Sequence, residues 1–345
     1  MLRKDIINPN VSLIIVTYNA EKFIADCLLS VNKQNYTCFE TIVVDNASND
    51  NTVNLIKTGF SWARLVESQQ NLGFTGGVHL GYSIAKGKYI ALLNPDTRAD
   101  KEWLGNLLTV MERDDECGIC ASLMLKWGTQ LIDTAGDGCT RAGKGFKIGN
   151  DQPAKFYQET REVFAACGGA VLYRRKMIEE IGFFDNSFFL LHEDTDLCFR
   201  ARLAGWKCMY VHNAMVEHKV SSSIGYKTPL AVYHSVKNSD MVWLKNMPGH
   251  FLFLTIPEKV ISDLASLIYL GIIHHRLKDY LKAKWYIVRN LKNIITARSE
   301  MQKKINKHGK LVFQQLTPFL SNKFIISLWK SKYKELRYFL NLPRG

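Results

Sequence analysis

The run Phe188 to Arg200, FFLLHEDTDLCFR, sets three carboxylates, Glu193, Asp194 and Asp196, beside an apolar segment. Ionised carboxylates resist burial unless they are paired or employed. Well upstream, Tyr89 to Asp96 (YIALLNPD) is an apolar, strand-like run that ends in another acid. Beyond the acid cluster, His218 closes the run MYVHNAMVEH. These three points can build one site. A strand-end Asp and a His could hold a metal ion, and an acid-rich helix start could supply a general base.

The elements that must position them can be read from periodicity. Val11 to Val16 (VSLIIV) and Thr41 to Val44 (TIVV) are continuous apolar, β-branched runs, as expected of parallel strands covered on both faces. Arg64 to Glu67 and Lys88 to Leu93 add strands, with helices predicted from about Thr52 and over Thr75 to Lys86. Strand and helix alternate, which predicts a doubly wound, mostly parallel α/β sheet with ligands at the carboxyl ends of its strands. Thr17, Tyr18, Asp45 and Asp96 all fall at such ends. After a helix over Lys101 to Glu112 and a strand around Ile119 to Leu125, Gly128 to Pro153 has little periodicity. It reads as a long loop or irregular hairpin, which in an enzyme is more often functional than idle. Ala165 to Tyr173, the acidic helix to Leu203 and a strand over Cys208 to Val211 complete a first domain, taken as 1–227.

The chain has 345 residues, enough for a large domain and more. Its net charge of +13 is unevenly placed: residues 219–345 hold 22 Lys/Arg against 6 Asp/Glu, a local +16, and the rest is mildly acidic. The two parts should therefore have different partners. All eight cysteines lie in the first part at spacings unlike a disulfide framework, and Cys117-Gly-Ile-Cys120 lacks the second pair a structural zinc site needs. MLRKDIINPN carries no apolar core of signal-peptide length, so a cytoplasmic protein is expected.

Taken in order, VSLIIVTYNAEKFIADCLLSV, TIVVDNASNDNT, NLGFTGGVHLGYSIAKGKYIALLNPDT, GGAVLYRRKMIEEIGFFDNSFFLLHEDTDLCFRARLAGW and VEHKVSSS resemble the glycosyltransferase family 2 enzymes of GT-A fold, in their rhamnosyltransferase-like branch. The resemblance covers roughly residues 10 to 225. It implies inverting transfer of a sugar from a nucleotide-diphosphate donor, dTDP-L-rhamnose first and UDP-sugars next, with Mn²⁺ or Mg²⁺. Under it, Thr17, Tyr18 and Asn19 would hold the nucleotide base, the alternative being an ordinary strand-to-helix turn. Asp45 would accept from the base imide, or else cap a helix as Ser48 or Asn49 equally could. Asn71, Gly73 and Gly77 would let backbone approach the nucleotide. Asn94-Pro95-Asp96 stands where the family has its DxD motif, so only Asp96 keeps a carboxylate and His218 would be the second metal ligand. Asp194 would be the base and Glu193 its support, although acids also stabilise a helix N-terminus without catalysis. Gly168, Gly169 and Asp196 would meet the acceptor or sugar; Asp196 could instead pair with Arg200.

From about 228 the chain turns to basic amphipathic helices. Leu277, Leu281, Trp285, Val288, Leu291 and Ile295 recur at three- and four-residue steps, and Phe251, Phe253, Tyr286, Phe313, Trp329, Tyr333 and Phe339 add aromatic faces among lysines. Such helices suit an anionic membrane surface and a lipid-linked glycan acceptor at the cytoplasmic face of the inner membrane. An ordinary helical domain with a solvated basic surface is the plain alternative. Nucleic-acid binding would account for the charge but leaves the acids unexplained, so no nucleic-acid partner is expected. A sugar nucleotidyltransferase would need a triphosphate loop near the N-terminus. The chain also lacks the QxxRW element of processive relatives, which implies transfer of one sugar or a few per encounter.

Overall fold

The computed structural model describes residues 8–219, 227–319 and 321; Val220 to Ser223 of the last motif, and Trp329, Tyr333 and Phe339, lie outside them. The chain divides into two compact units, Met1–Gly138 with Phe146–Gly225, and Cys139–Gly145 with Tyr226–Gly345. The second unit thus includes a seven-residue excursion from the first half of the chain, which the split at 227 did not anticipate.

In the first unit the order is β1 (Val11–Thr17), α1 (Ile24–Asn32), β2 (Phe39–Asp45), α2 (Thr52–Gly59), β3 (Arg64–Glu67), α3 (Gly73–Ile84), β4 (Tyr89–Leu93), β5 (Thr97–Ala99) and α4 (Trp103–Arg113). There follow β6 (Cys117–Lys126), β7 (Ile132–Ala135), β8 (Asp137–Cys139), β9 (Gly145–Lys147), β10 (Arg161–Glu162), β11 (Ala170–Arg174), α5 (Arg175–Ile181), α6 (Glu193–Ala204) and β12 (Lys207–His218). The main sheet runs β10-β12-β6-β11-β4-β1-β2-β3, with β5 on β12 and β7 on β6. Strands β1 to β4 are mutually parallel where they pair, as are β6 and β12, while β11 lies antiparallel between β4 and β6. The apolar runs are buried as their composition demands: Val11, Leu13, Ile15, Val43, Ala91 and Leu93 share a core with Leu104, Leu107 and Met111 of α4.

Two expectations change and a third is narrowed to one of its two forms. The strand foreseen from Ala165 starts at Ala170, because Gly168 and Gly169 lie in an irregular approach to it. The strand foreseen over Cys208 to Val211 runs on to His218 through a bulge between Val211 and Met215, so His218 is a strand residue. The stretch 128–153 is a hairpin system, β7 antiparallel to β6 and β8 paired with β9. No disulfide forms among the cysteines; Cys117 and Cys120 lie buried with their sulfurs 3.6 Å apart.

The second unit comprises α7 (Pro229–Asn246), α8 (Phe251–Leu254), α9 (Ile256–Ser266), a π-helical turn over Leu267–Ile273, α10 (Leu277–Ile305) and α11 (Gly309–Gln315). Val232 and Val236 of α7 pack on Tyr280 and Ala283 of α10. Phe251 and Phe313, expected on an outward aromatic face, stack on each other at 4.0 Å instead. Trp285 is 65% exposed and Phe253 70%. No helix among the described residues is long and apolar enough to cross a membrane.

Candidate active site

The carboxyl ends of β1 and β2 form the first wall. Thr17 Oγ1 donates to Asp45 Oδ1 at 3.1 Å and the Ser48 amide to Asp45 Oδ2 at 3.0 Å, so the buried Asp45 ties the two strand ends together. It is Asp50, not Ser48 or Asn49, that accepts from the Thr52 amide at the start of α2. Asn19 adopts φ +50, with its amide on Ser48 and its side-chain oxygen accepting from Asn49. Tyr18 is left exposed beside them, an open ring face.

Asn46, which sequence reasoning passed over, is the organiser of the next loop. Its amide nitrogen donates to Asn71 Oδ1 (3.0 Å) and the Gly73 carbonyl (2.9 Å), and its oxygen accepts from the Leu72 amide (2.9 Å). Only its place inside a turn-rich Asp-Asn-Ala-Ser segment could have flagged it. Gly73 has φ +72, and a Cβ there would lie 2.5 Å from the Phe189 carbonyl oxygen, so the glycine is required for the loop to approach the segment before α6. Gly77, expected beside the nucleotide, is instead buried against Val16, a helix-on-strand contact.

The centre of the site forms where β4 ends. The Asn94 amide donates to the Gly169 carbonyl at 2.8 Å, and the next glycine back, Gly168, donates its amide to Asp194 Oδ2 at 2.9 Å. These two bonds bring the strand-end motif and the acids of α6 together. Asp194 Oδ1 accepts from the Thr195 amide at 2.6 Å, which fixes the carboxylate in the first turn of α6. Ahead of that turn, Phe189, Leu191 and His192 all hold positive φ, a cluster of costly backbone for non-glycine residues. Glu193 is buried and its Oε2 has no hydrogen-bond partner among the described residues. Burial, and then the neighbouring Asp194 charge, push its carboxyl well above the usual range. Asp196, expected at the acceptor, is fully buried and bound to Arg200 Nε at 2.8 Å. Arg200 in turn binds the carbonyls of Ile181, Gly182 and Phe183, so this pair holds the loop before α6.

Asp96 is 3% exposed and lies beside β12, where His218 pairs in register with Thr97. His218 Nε2 stands 3.5 Å from Asp96 Oδ1, and Nδ1 stands 2.9 Å from Asp133 Oδ2. Burial opposes charge on the imidazole, but hydrogen bonds to Asp133 and Asp96 outweigh it and raise its pKa to about 9. The same contacts, with Lys147 at 2.6 Å from Asp133 Oδ1, hold buried Asp133 down to about 2. A carboxylate and an imidazole with converging donor atoms, the imidazole gripped behind by a second carboxylate, fit a divalent cation. At the base end, Asp137 and Cys167 each offer an atom within 4.8 Å of an Asp194 oxygen and of each other. Burial and then the Asp194 charge raise Asp137 to about 7, while Cys167 is raised well above its usual value and stays a thiol. Asp133, Asp137 and Lys147 were invisible as site residues beyond the suspicion that 128–153 was functional.

A mostly parallel sheet with a strand-end acid, a facing His and a helix-borne carboxylate at one edge defines the GT-A class of nucleotide-sugar α/β folds, and solved structures share the architecture. One is GalNAc-T7 with UDP, GalNAc and Mn²⁺ (TM-score 0.57, 16% identity, 84% of this chain and 58% of that one). Another is S. aureus TarS 1–349 in complex with UDP-GlcNAc (TM-score 0.54, 15% identity, 88% and 90%).

Residues 12–182 match the glycosyl transferase family 2 model, and the chain belongs to that family. Among curated relatives, an uncharacterized glycosyltransferase of Haemophilus influenzae is 29% identical over 33% of this chain and 41% of its own. The amylovoran biosynthesis glycosyltransferase AmsB of Erwinia amylovora is 26% identical over 69% and 78%. The N-acetylglucosaminyl-diphospho-decaprenol L-rhamnosyltransferase of Mycobacterium tuberculosis is 25% identical over 64% and 80%. Asp194 and His218 lie beyond the matched span, so their roles must be argued from geometry.

Proposed function

We propose that the protein transfers a sugar, with inversion, from a nucleotide-diphosphate donor to a lipid-linked glycan during bacterial surface polysaccharide synthesis. The observation that carries this is the pair of backbone bonds, Asn94 to Gly169 and Gly168 to Asp194, that joins the cation-facing pair Asp96 and His218 to a fixed carboxylate. In this reading Asp194 takes the proton of the acceptor hydroxyl as that oxygen attacks the anomeric carbon from the face opposite the leaving diphosphate. Thr195 and Gly168 hold the carboxylate for that task. Tyr18 offers its exposed ring to the nucleotide base, with Thr17, Asn19 and Asp45 shaping the turn around it, and the Asn46–Asn71–Gly73 loop borders the same cleft. Asp96 and His218 would hold Mn²⁺ or Mg²⁺, which when bound supplies charge stabilisation at the diphosphate.

The donor we favour is dTDP-L-rhamnose, with UDP-sugars as the second reading. The mycobacterial relative's name supports the former and the UDP complexes of the structural neighbours the latter. The exposed apolar faces of α9 and α10, within a strongly basic region, support attachment to an anionic membrane surface, which would place the enzyme peripherally on the cytoplasmic leaflet. The test is transfer from dTDP-L-rhamnose and from UDP-sugars, with Mn²⁺, to a synthetic polyprenyl-diphosphate N-acetylglucosamine. Product formation with neither donor class would overturn the donor assignment, and a product that retains the anomeric configuration would overturn the mechanism.

A further inference from the structure

His218 is held by a residue whose position needs explaining. In the β6–β7 ladder Leu123 pairs with Ala135, Met124 with Thr134 and Leu125 with Ile132, so one residue, Asp133, falls outside the register. A one-residue bulge re-aims a side chain, and bulges recur beside active sites. Here it lets Asp133 reach His218 of β12, the strand on the other side of β6. Asp133 is 1% exposed and both its oxygens are engaged, Oδ2 by His218 Nδ1 at 2.9 Å and Oδ1 by Lys147 Nζ at 2.6 Å. Lys147 comes from β9, so three strands of different hairpins meet at one carboxylate.

We propose that Asp133, locked by Lys147, is the positioning residue that presents His218 Nε2 to a divalent cation shared with Asp96. A carboxylate only accepts hydrogen bonds, so Nδ1 must carry a proton, and Nε2 is the nitrogen on which a metal would displace the second one. That nitrogen already faces Asp96 Oδ1 at 3.5 Å. Were Asp133 free to turn, the imidazole could rotate or exchange its tautomer and the donor set would be lost.

The proposal rests on His218 being a cation ligand, and the experiment separates the two. Mn²⁺ affinity of the full chain is measured in the presence of UDP, from the free-ion electron paramagnetic resonance signal, for wild type, Asp133→Asn, Lys147→Met and His218→Ala. Asp133→Asn should weaken Mn²⁺ binding 10- to 100-fold, and Lys147→Met by a smaller factor, because one of the two restraints on the carboxylate survives. Metal-free UDP binding and melting temperature report whether each variant folds. If Asp133→Asn does not fold, Lys147→Met carries the test, and unchanged affinity there overturns the proposal. If His218→Ala binds Mn²⁺ as well as wild type, the ligand assignment itself fails. If His218→Ala is weakened but Asp133→Asn is not, the assignment stands and the positioning role is refuted.

Discussion

The molecule buries two clusters of charge, and they are built on opposite principles. In the second unit, Asp240 and Asp263 face Lys259 and Lys284 in a closed square: Lys259 Nζ reaches both acids at 2.5 Å, and Lys284 Nζ reaches them at 2.8 and 2.9 Å. Two carboxylates meet two ammonium groups. Lys144, from the excursion Cys139–Gly145, comes up beside this square as a third cation, and burial together with Lys259 depresses it to about 8, close to the point at which it gives up its charge. In the first unit, Asp96, Asp133, Asp137, Glu193 and Asp194 gather around His218 and Lys147, an excess of acid among the described residues. Excess buried charge is expensive, and two of these carboxyls are pushed up, Asp137 to about 7 and Glu193 well above its usual range. A balanced cluster needs no ligand to be stable, whereas an unbalanced one is poised to receive a cation and a proton. Charge balance, rather than the number of charged residues, separates scaffold from site here.

The contrast is broken most severely at Asp194. Asp194→Asn removes the proposed general base at nearly constant shape, and turnover should fall by about 10²- to 10⁴-fold while nucleotide affinity, measured calorimetrically, stays within a factor of two or three. Substantial residual turnover would move the base elsewhere, Asp137 having a carboxylate oxygen within 4.8 Å of one of Asp194's. The balanced cluster should respond in the other currency. Lys259→Met leaves buried Asp240 and half-buried Asp263 short of a cation and should cost about 3 kcal/mol of stability, read as a lowered melting temperature, with UDP binding in the first unit unchanged below the transition. A variant as stable as wild type would show that the square is decorative.

How much of this was legible beforehand follows the same division. Asp96, Asp194 and His218 could be picked out because each closes or opens a strongly apolar or acidic run, and runs such as VSLIIV and YIALL announce two-sided burial in a parallel sheet. Asp133 and Lys147 could not, because a bulge and a long-range hairpin pairing set their positions, and neither leaves a periodic signal. Gly77 was misassigned for a related reason: a glycine that lets a helix sit on Val16 and one that admits a ligand look alike in sequence. Asp196 showed both of its options, ligand or partner of Arg200, and only packing chose between them. The positive φ of Phe189 and Leu191 is likewise unannounced, since of FLLH only His192 is a residue type enriched there.

The unbalanced cluster should also have a pH signature between pH 4 and pH 7 that the balanced one lacks. Asp137 is faced by Asp194, Thr134, Lys147 and Asp133, and its folded pKa lies near 7 against 3.8 for the unperturbed group. A carboxyl raised on folding lends stability below its unfolded pKa, and that contribution is lost as pH rises through the folded value. Asp137→Asn cannot ionise. Its stability relative to wild type should therefore climb between pH 4 and pH 7 and then level, by at most about 4 kcal/mol. Melting curves across that range are the measurement, and a pH-independent difference would remove Asp137 from the cluster's proton account.

The smallest expected effect concerns the surface around the balanced cluster. Leu277, Leu281, Trp285, Val288, Leu291 and Ile295 of α10 are all exposed, as are Val260, Leu264 and Ile268 on α9 and the turn after it. Amphipathic helices that bury their apolar side in the protein do not leave it in water. If this face meets lipid, Trp285→Ser should weaken binding to vesicles containing anionic lipid by about tenfold, or roughly 1.4 kcal/mol, and leave the melting temperature unchanged because Trp285 stabilises little in the folded chain. Binding should also weaken with salt, since the surrounding lysines and arginines act through a screened field. Equal partition of wild type and variant onto vesicles would sever the apolar face from the membrane. A concentration-dependent change in mass without lipid would give that face to a second copy of the chain.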